Sequence, residues 1–185
     1  ATNRLALSRS YYDERGQMWK SPRHEIDAAD GSNDDDLESL RWYDSEGRTI
    51  KTDGSQLAKT DYDRIGRAQR SFVLANDDGS GYSDASTVAG DVVVTERQSL
   101  YEDDEMVMSV RIDRLHDDYD SGETTGALDT NTDGDWDSIT AADLQGRAQI
   151  TAYFYDRYGR RIDSATYGTN GGSTFSAPVQ LDHGT

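Results

Sequence analysis

Along this chain apolar and polar residues alternate in short runs rather than recurring every three or four positions. The period-two stretches Asp91–Leu100, Val107–Leu115 and Ala148–Tyr155 are rich in β-branched or aromatic side chains, which is the composition of strands with one face turned inward. Between such runs lie clusters of Gly, Ser, Asn and Asp, which read as loops. The longest occupy about 21–39, 76–90 and 117–143, and Asp34, Asp35 and Asp36 sit together in the first. No long helical pattern is convincing; Ile139–Leu144 has room for one helical turn, with Ser138 or Thr140 as its cap. The pattern predicts a chain that is otherwise all β.

The turns carry a signature. Tyr12-Asp13-Glu14-Arg15-Gly16-Gln17, Tyr43-Asp44-Ser45-Glu46-Gly47-Arg48, Tyr62-Asp63-Arg64-Ile65-Gly66-Arg67 and Tyr155-Asp156-Arg157-Tyr158-Gly159-Arg160 share one spacing. Tyr101-Glu102-Asp103-Asp104-Glu105-Met106 is a degenerate copy without the Gly or the Arg. Asp followed three residues later by Gly is the preference of a type I turn, in which the carboxylate accepts a bond from the backbone two residues on. A left-handed Gly then completes a bulged hairpin between antiparallel strands, which predicts positive φ at Gly47, Gly66 and Gly159. The Arg after the turn is expected to cover the ring of the Tyr before it, a contact of roughly 0.5–1 kcal/mol when exposed. Seven residues after each Tyr come Trp19, Ile50, Gln69, Met108 and Ile162, all but one apolar, as expected of a returning strand with one face inward.

These residues resemble the YD-repeat family, the hairpin array of bacterial Rhs proteins, insecticidal toxin-complex shells and the animal teneurins. The resemblance covers the hairpins and not the acidic segments between them. It implies a curved antiparallel strip of repeated β-hairpins with long acidic loop insertions, in which the tightest spacing, Tyr43 to Tyr62, is near the bare unit. It further implies a non-enzymatic structural segment of a large secreted or cell-surface bacterial protein. Such strips coil into hollow shells that enclose a cargo or stand on the cell surface. The implied partners are neighbouring repeats of the same chain, or self-association. The features that mark the end of an Rhs shell and its attached toxin are not visible.

Charge narrows the partners. Acidic residues number 36 against 19 basic ones, for a net charge of −17, so nucleic acid and anionic membrane would both be repelled. With a hydrophobic share of 34% the chain has few apolar side chains to offset its entropy, although eleven Tyr and three Trp bury large areas on a sheet. Both ends read as cuts in a longer polypeptide. An excised strip with two raw edges is expected to be partly unfolded or self-associated at low salt. There is no Cys, which excludes disulfides and thiolate chemistry, and no apolar run approaches the ~18 residues of a membrane helix.

The segment richest in candidate chemistry is 129–137. Asp129, Asn131, Asp133 and Asp137 place oxygens at alternating positions, Gly134 permits a sharp turn and Asp135 offers its carbonyl, matching the first part of an EF-hand-type calcium loop. Position twelve, where a bidentate acid belongs, is Thr140, and Asp143 lies three residues late. Calcium is therefore a candidate cofactor, and the competing reading is a solvated acidic loop with Trp136 packed on the sheet. His24, His116 and His183 are scattered and form no metal or triad spacing, so no active site is expected. The alternative function is a calcium-dependent adhesive or carbohydrate-binding extracellular module, since an aromatic-rich sheet can stack on sugar rings.

Overall fold

The computed structural model describes residues 6–26, 33–77, 79, 81–115, 125–130, 138–139, 144–169 and 173–176. The elements in chain order are β1 (Ala6–Ser8), β2 (Tyr11–Tyr12), β3 (Met18–Lys20), β4 (Arg23–Ile26), β5 (Asn33–Leu37), β6 (Leu40–Tyr43), β7 (Thr49–Asp53), β8 (Ala58–Tyr62), β9 (Ala68–Asn76), α1 (Tyr82–Ala85), β10 (Val92–Glu102), β11 (Glu105–Arg114), β12 (Ser138–Ile139), β13 (Gly146–Tyr155), β14 (Arg161–Gly168) and β15 (Phe175–Ser176). Among the described residues the chain is all β apart from the four-residue α1. Ten strands form one antiparallel sheet in the order β14-β13-β11-β10-β9-β8-β7-β6-β3-β2. It is a meander: each excursion returns beside the strand it left, and the sheet does not close into a barrel.

The three predicted insertions are more structured than their composition suggests. Segment 21–39 holds β4 and β5, which join β1 in a three-stranded sheet. Ser21 and Ser39 exchange backbone hydrogen bonds, and the Arg9 N–H donates to the Pro22 carbonyl, so the pairing of the hairpin strands continues past their breaks. The run Asp34–Asp36 thus lies in a strand, because a hairpin already in register satisfies more backbone groups by lengthening than by opening. In segment 76–90, β9 extends to Asn76 and α1 follows. In segment 117–143 Gly126 bridges to Val92 at the start of β10, and Asp129 forms an isolated bridge with Leu144, ahead of β13. The helical turn expected at Ile139–Leu144 is not found at its ends: Ile139 pairs with Phe175 in an antiparallel bridge, and residues 140–143 lie outside the described residues.

Strand alternation builds the core on one face. Registers place Val110 between Gln98 and Ile150, and Ile112 between Glu96 and Ala148. With Phe72, Leu74, Val93 and Met108 these form the buried cluster, covered by Leu128 and Phe175. Following the same face across the sheet, Phe72 lies opposite Lys59, Lys59 opposite Lys51, and Lys51 opposite Trp42. The face therefore runs from aliphatic to cationic to aromatic. Of the positions seven after each Tyr, Ile50 and Met108 are buried whereas Trp19 and Ile162 are exposed, because the latter two stand near the two edges of the sheet.

Candidate functional site

The four intact turns have one geometry. In each, Oδ1 of the motif Asp accepts the N–H two residues on and the N–H four residues on, at 2.8–3.0 Å. The Gly N–H donates to the Asp carbonyl; Gly47, Gly66 and Gly159 have positive φ as predicted, and Gly16 shares it, the four spanning +71° to +95°. The degenerate copy turns differently. Glu102 pairs with Glu105, so the loop has only Asp103 and Asp104, and Asp103 adopts φ +50°, a conformation that Asp tolerates better than most residues.

The expected Arg–Tyr stacking is real but joins different partners. Arg48, Arg67 and Arg160 turn back on their own Asp through Nε, at 2.5–2.7 Å. The Arg48 guanidinium then covers Tyr62, in the next hairpin, at 4.9 Å, and Arg67 covers Tyr101 at 4.3 Å. Each motif Tyr after the first also reaches back to the strand that begins after the preceding turn. Tyr43 donates to the Met18 carbonyl, Tyr62 to Thr49, Tyr101 to Ala68 and Tyr155 to Met106. Arg48 and Arg67 further donate to the carbonyls of Asp63 and Asp103 in the following turns. At the first junction Gln17 replaces the Arg, and Arg15 takes over by donating to the Ser45 carbonyl. The Arg is recruited across hairpins because its short-range partner is the Asp of its own turn, which leaves the planar face free to stack on a neighbour. At Asp44 and Asp63 burial pushes the carboxyl pKa up, but hydrogen bonds from Arg48 and Arg67 outweigh it and hold both below the ordinary 3.8.

A second constellation lies where the cationic part of the sheet face meets the segment from Asp77 to Asp91. The ammonium of Lys59 donates to the carbonyls of Asp84 and Thr87 and to Asp91 Oδ2, at 2.7–2.9 Å. Lys51 donates to the Gly79 carbonyl and to Asp84 Oδ2, is ion-paired with Asp77, and lies 4.7 Å from the Trp42 ring centre. Asp77 Oδ1 is also 3.2 Å from Lys59 Nζ, an ion pair without hydrogen-bond geometry. Burial acts to lower the Lys59 pKa, but Asp91 and Asp77 outweigh it and the value is raised above 10.5. The carboxylates of Asp77, Asp84 and Asp91 lie close enough to hold a metal. The two ammonium groups already supply positive charge at their centre, and an ammonium has three donors to satisfy, which these contacts do.

Asp129, the first residue of the candidate calcium loop, belongs to a third group. It is buried, and its Oδ2 accepts from Gln98 Nε2 at 2.8 Å. Glu96, fully buried beside it, accepts the backbone N–H groups of Leu128 and Asp129 at 2.7 and 3.2 Å and pairs with Arg70. The Asp129 carboxylate is thus engaged by the sheet. Asn131, Asp133, Asp135 and Asp137 lie outside the described residues. Reading the sequence for loops missed Lys51, Lys59, Glu96 and Gln98; their signal was charged or polar residues at inward parity within strand runs.

Between the first and second turns the strands splay around a groove of about 670 Å³, lined among others by Asp13, Arg15, Trp19, Arg41, Trp42 and Tyr82. No protein-family model matches the chain, and a search of curated proteins returns no match. No helix among the described residues is long and apolar enough to cross a membrane.

Proposed function

We propose that this chain is a non-enzymatic segment of a YD-repeat hairpin array, serving as wall or scaffold in a large secreted or cell-surface bacterial protein. One observation carries the reading: successive hairpins recognise each other through the motif itself, Tyr to carbonyl and Arg to Tyr. The recurring Tyr and Arg are thereby explained as a code for repeat-to-repeat adhesion, without any catalytic role. The two edge strands present unmatched halves of that code. Tyr12 is 61% exposed, and no described residue takes its hydroxyl. The Arg160 side chain is 75% exposed, against 27% for Arg48 and Arg67. Unpaired strand edges recruit further strands, and the occupant these edges favour is another Tyr-Asp hairpin, from a neighbouring repeat or a second copy. Enclosure of a cargo or display on a surface follows from the family resemblance.

The test is sedimentation velocity on the 185-residue chain at low and physiological salt, with Tyr12→Ser and Arg160→Ser variants. The expected result is concentration-dependent association, weakened by either substitution and promoted by salt, which screens the −17 charge over a Debye length of ~8 Å. A monomer indifferent to both substitutions, with the amides of β2 and β14 as protected from exchange as those of β10, would overturn the reading.

A further inference from the structure

The groove between the first two turns carries chemistry that adhesion between hairpins does not require. Its volume, about 670 Å³, lies within the roughly 300–1,000 Å³ of small-ligand sites. Aromatic residues on its walls include Trp19, 43% exposed, and Tyr82, 59% exposed. The Arg41 side chain makes no hydrogen bond or ion pair among the described residues. Arg15 uses one guanidinium N–H on the Ser45 carbonyl and keeps its other donors. Because Gln17 stands where the other intact turns have Arg, Asp13 lacks the guanidinium that neutralises Asp44, Asp63 and Asp156. Its Oδ1 serves the turn, and its second oxygen remains an acceptor at the groove.

Exposed ring faces, guanidinium donors and a carboxylate acceptor in one cleft match a molecule with an apolar C–H face, hydroxyl groups and a negative charge. We infer that the groove binds an acidic saccharide, with a sugar ring stacked on Trp19, a hydroxyl donating to Asp13 and the sugar carboxylate held by Arg41. A guanidinium binds a planar carboxylate through two parallel hydrogen bonds, which gives it specificity over a neutral ring. The −17 field disfavours dense polyanions, so the ligand is a glycan with an isolated acidic sugar rather than a nucleic acid. The inference rests on the groove alone and is independent of the array reading.

The probe is a glucuronate-terminated disaccharide, cellobiuronic acid, titrated into the full chain by tryptophan fluorescence and calorimetry. Cellobiose and an acetylated Glu-Tyr dipeptide are the comparators. Saturable binding of the acidic sugar is expected, roughly tenfold tighter than cellobiose, the ratio that one charge-assisted bidentate contact supplies. Arg41→Gln should erase that ratio and leave cellobiose unchanged, Arg41→Lys should recover part of it, and Trp19→Ala should weaken both sugars. Thermal melts confirm that each variant is folded; the two Arg41 variants decide the matter if Trp19→Ala is not. Absence of saturable binding to the native chain, equal affinity for the dipeptide, or indifference to Arg41→Gln would overturn the assignment.

Discussion

Where the chain leaves β9 and returns as β10, it crosses the sheet face over Lys51 and Lys59. Where it passes from β11 to β13, the stretch from Gly126 to Thr130 lies on the same face over Glu96 and the aliphatic cluster. The first crossover offers acceptors, namely three Asp carboxylates and the carbonyls of Gly79, Asp84 and Thr87, and the sheet answers with ammonium groups. The second offers two backbone N–H groups and Leu128, and the sheet answers with a carboxylate and a dry pocket. The sign of a buried charge on this face is thus set by what the covering segment leaves unsatisfied, since buried polar groups are tolerated only when paired. Lys51 lies directly opposite Lys59, a like-charge pair that would destabilise bare strands. It makes sense only with the Asp-rich crossover in place.

The largest effect should come from removing one charge of the first crossover. Lys59→Met leaves Asp91, which is fully buried, without its ammonium, and breaking a buried ion pair from one side costs about 3–5 kcal/mol. Leu128→Ala in the second crossover should cost about 3 kcal/mol, the middle of the range for a buried Leu. Urea unfolding measures both, and amide exchange localises them. Lys59→Met should speed exchange at Ala85 and Thr87, and Leu128→Ala at Gln145, whose N–H is bonded to the Leu128 carbonyl. If either variant loosens both crossovers equally, the two are one cooperative unit and the contrast fails.

This contrast could not be read from the sequence, and the turns could. Asp13, Asp44, Asp63 and Asp156 act on atoms within four residues, so spacing alone specifies their hydrogen bonds. The Arg–Tyr contacts needed the strand order: spacing placed Arg48 against Tyr43, whereas the sheet places it on Tyr62. Lys51 and Lys59 were invisible because a pattern that scores Lys as solvent-facing has no category for an inward ammonium. Of the alternating oxygens that make up the candidate calcium loop, Asp129 bridges to Leu144 and accepts a bond from Gln98, contacts that spacing along the chain does not specify.

Substitutions in the turns ask whether the edge of the sheet is energetically separate from the face that carries the crossovers. Gly66 has φ +95°, and a Cβ there would meet only Arg48 atoms at 3.6 Å and beyond, so Gly66→Val tests backbone strain without a clash. It should destabilise by about 1–3 kcal/mol, with no change in exchange at Thr87 or Gly126. Tyr101→Phe removes one hydroxyl bond, to the Ala68 carbonyl, and should cost about 0.5–1.5 kcal/mol. An effect of Gly66→Val on the crossovers would mean that turn and face are coupled.

The smallest effects are electrostatic and separate the two regions by pH. Lys59 titrates above its ordinary 10.5 when folded, so its contribution is complete below 10.5 and fades only as pH rises through the folded value. Asp156 behaves in the opposite sense: hydrogen bonds from Arg160 lower its pKa from 3.8 to about 2. A depressed carboxyl stabilises the fold above its unfolded value, so this contribution is intact above about pH 4 and lost as pH falls toward 2. Carbon-detected NMR titration of the Asp156 carboxyl should give a midpoint near 2 in the native chain and a higher one in Arg160→Gln, still held below the ordinary 3.8 by the backbone N–H groups of residues 158 and 160. Arg160 is the most exposed of the three turn arginines, so a hairpin docked on β14 should bury it together with Asp156 and raise the Asp156 midpoint, as burial pushes up the carboxyls of Asp44 and Asp63. A midpoint that stays fixed when the chain associates would show that association does not use this edge.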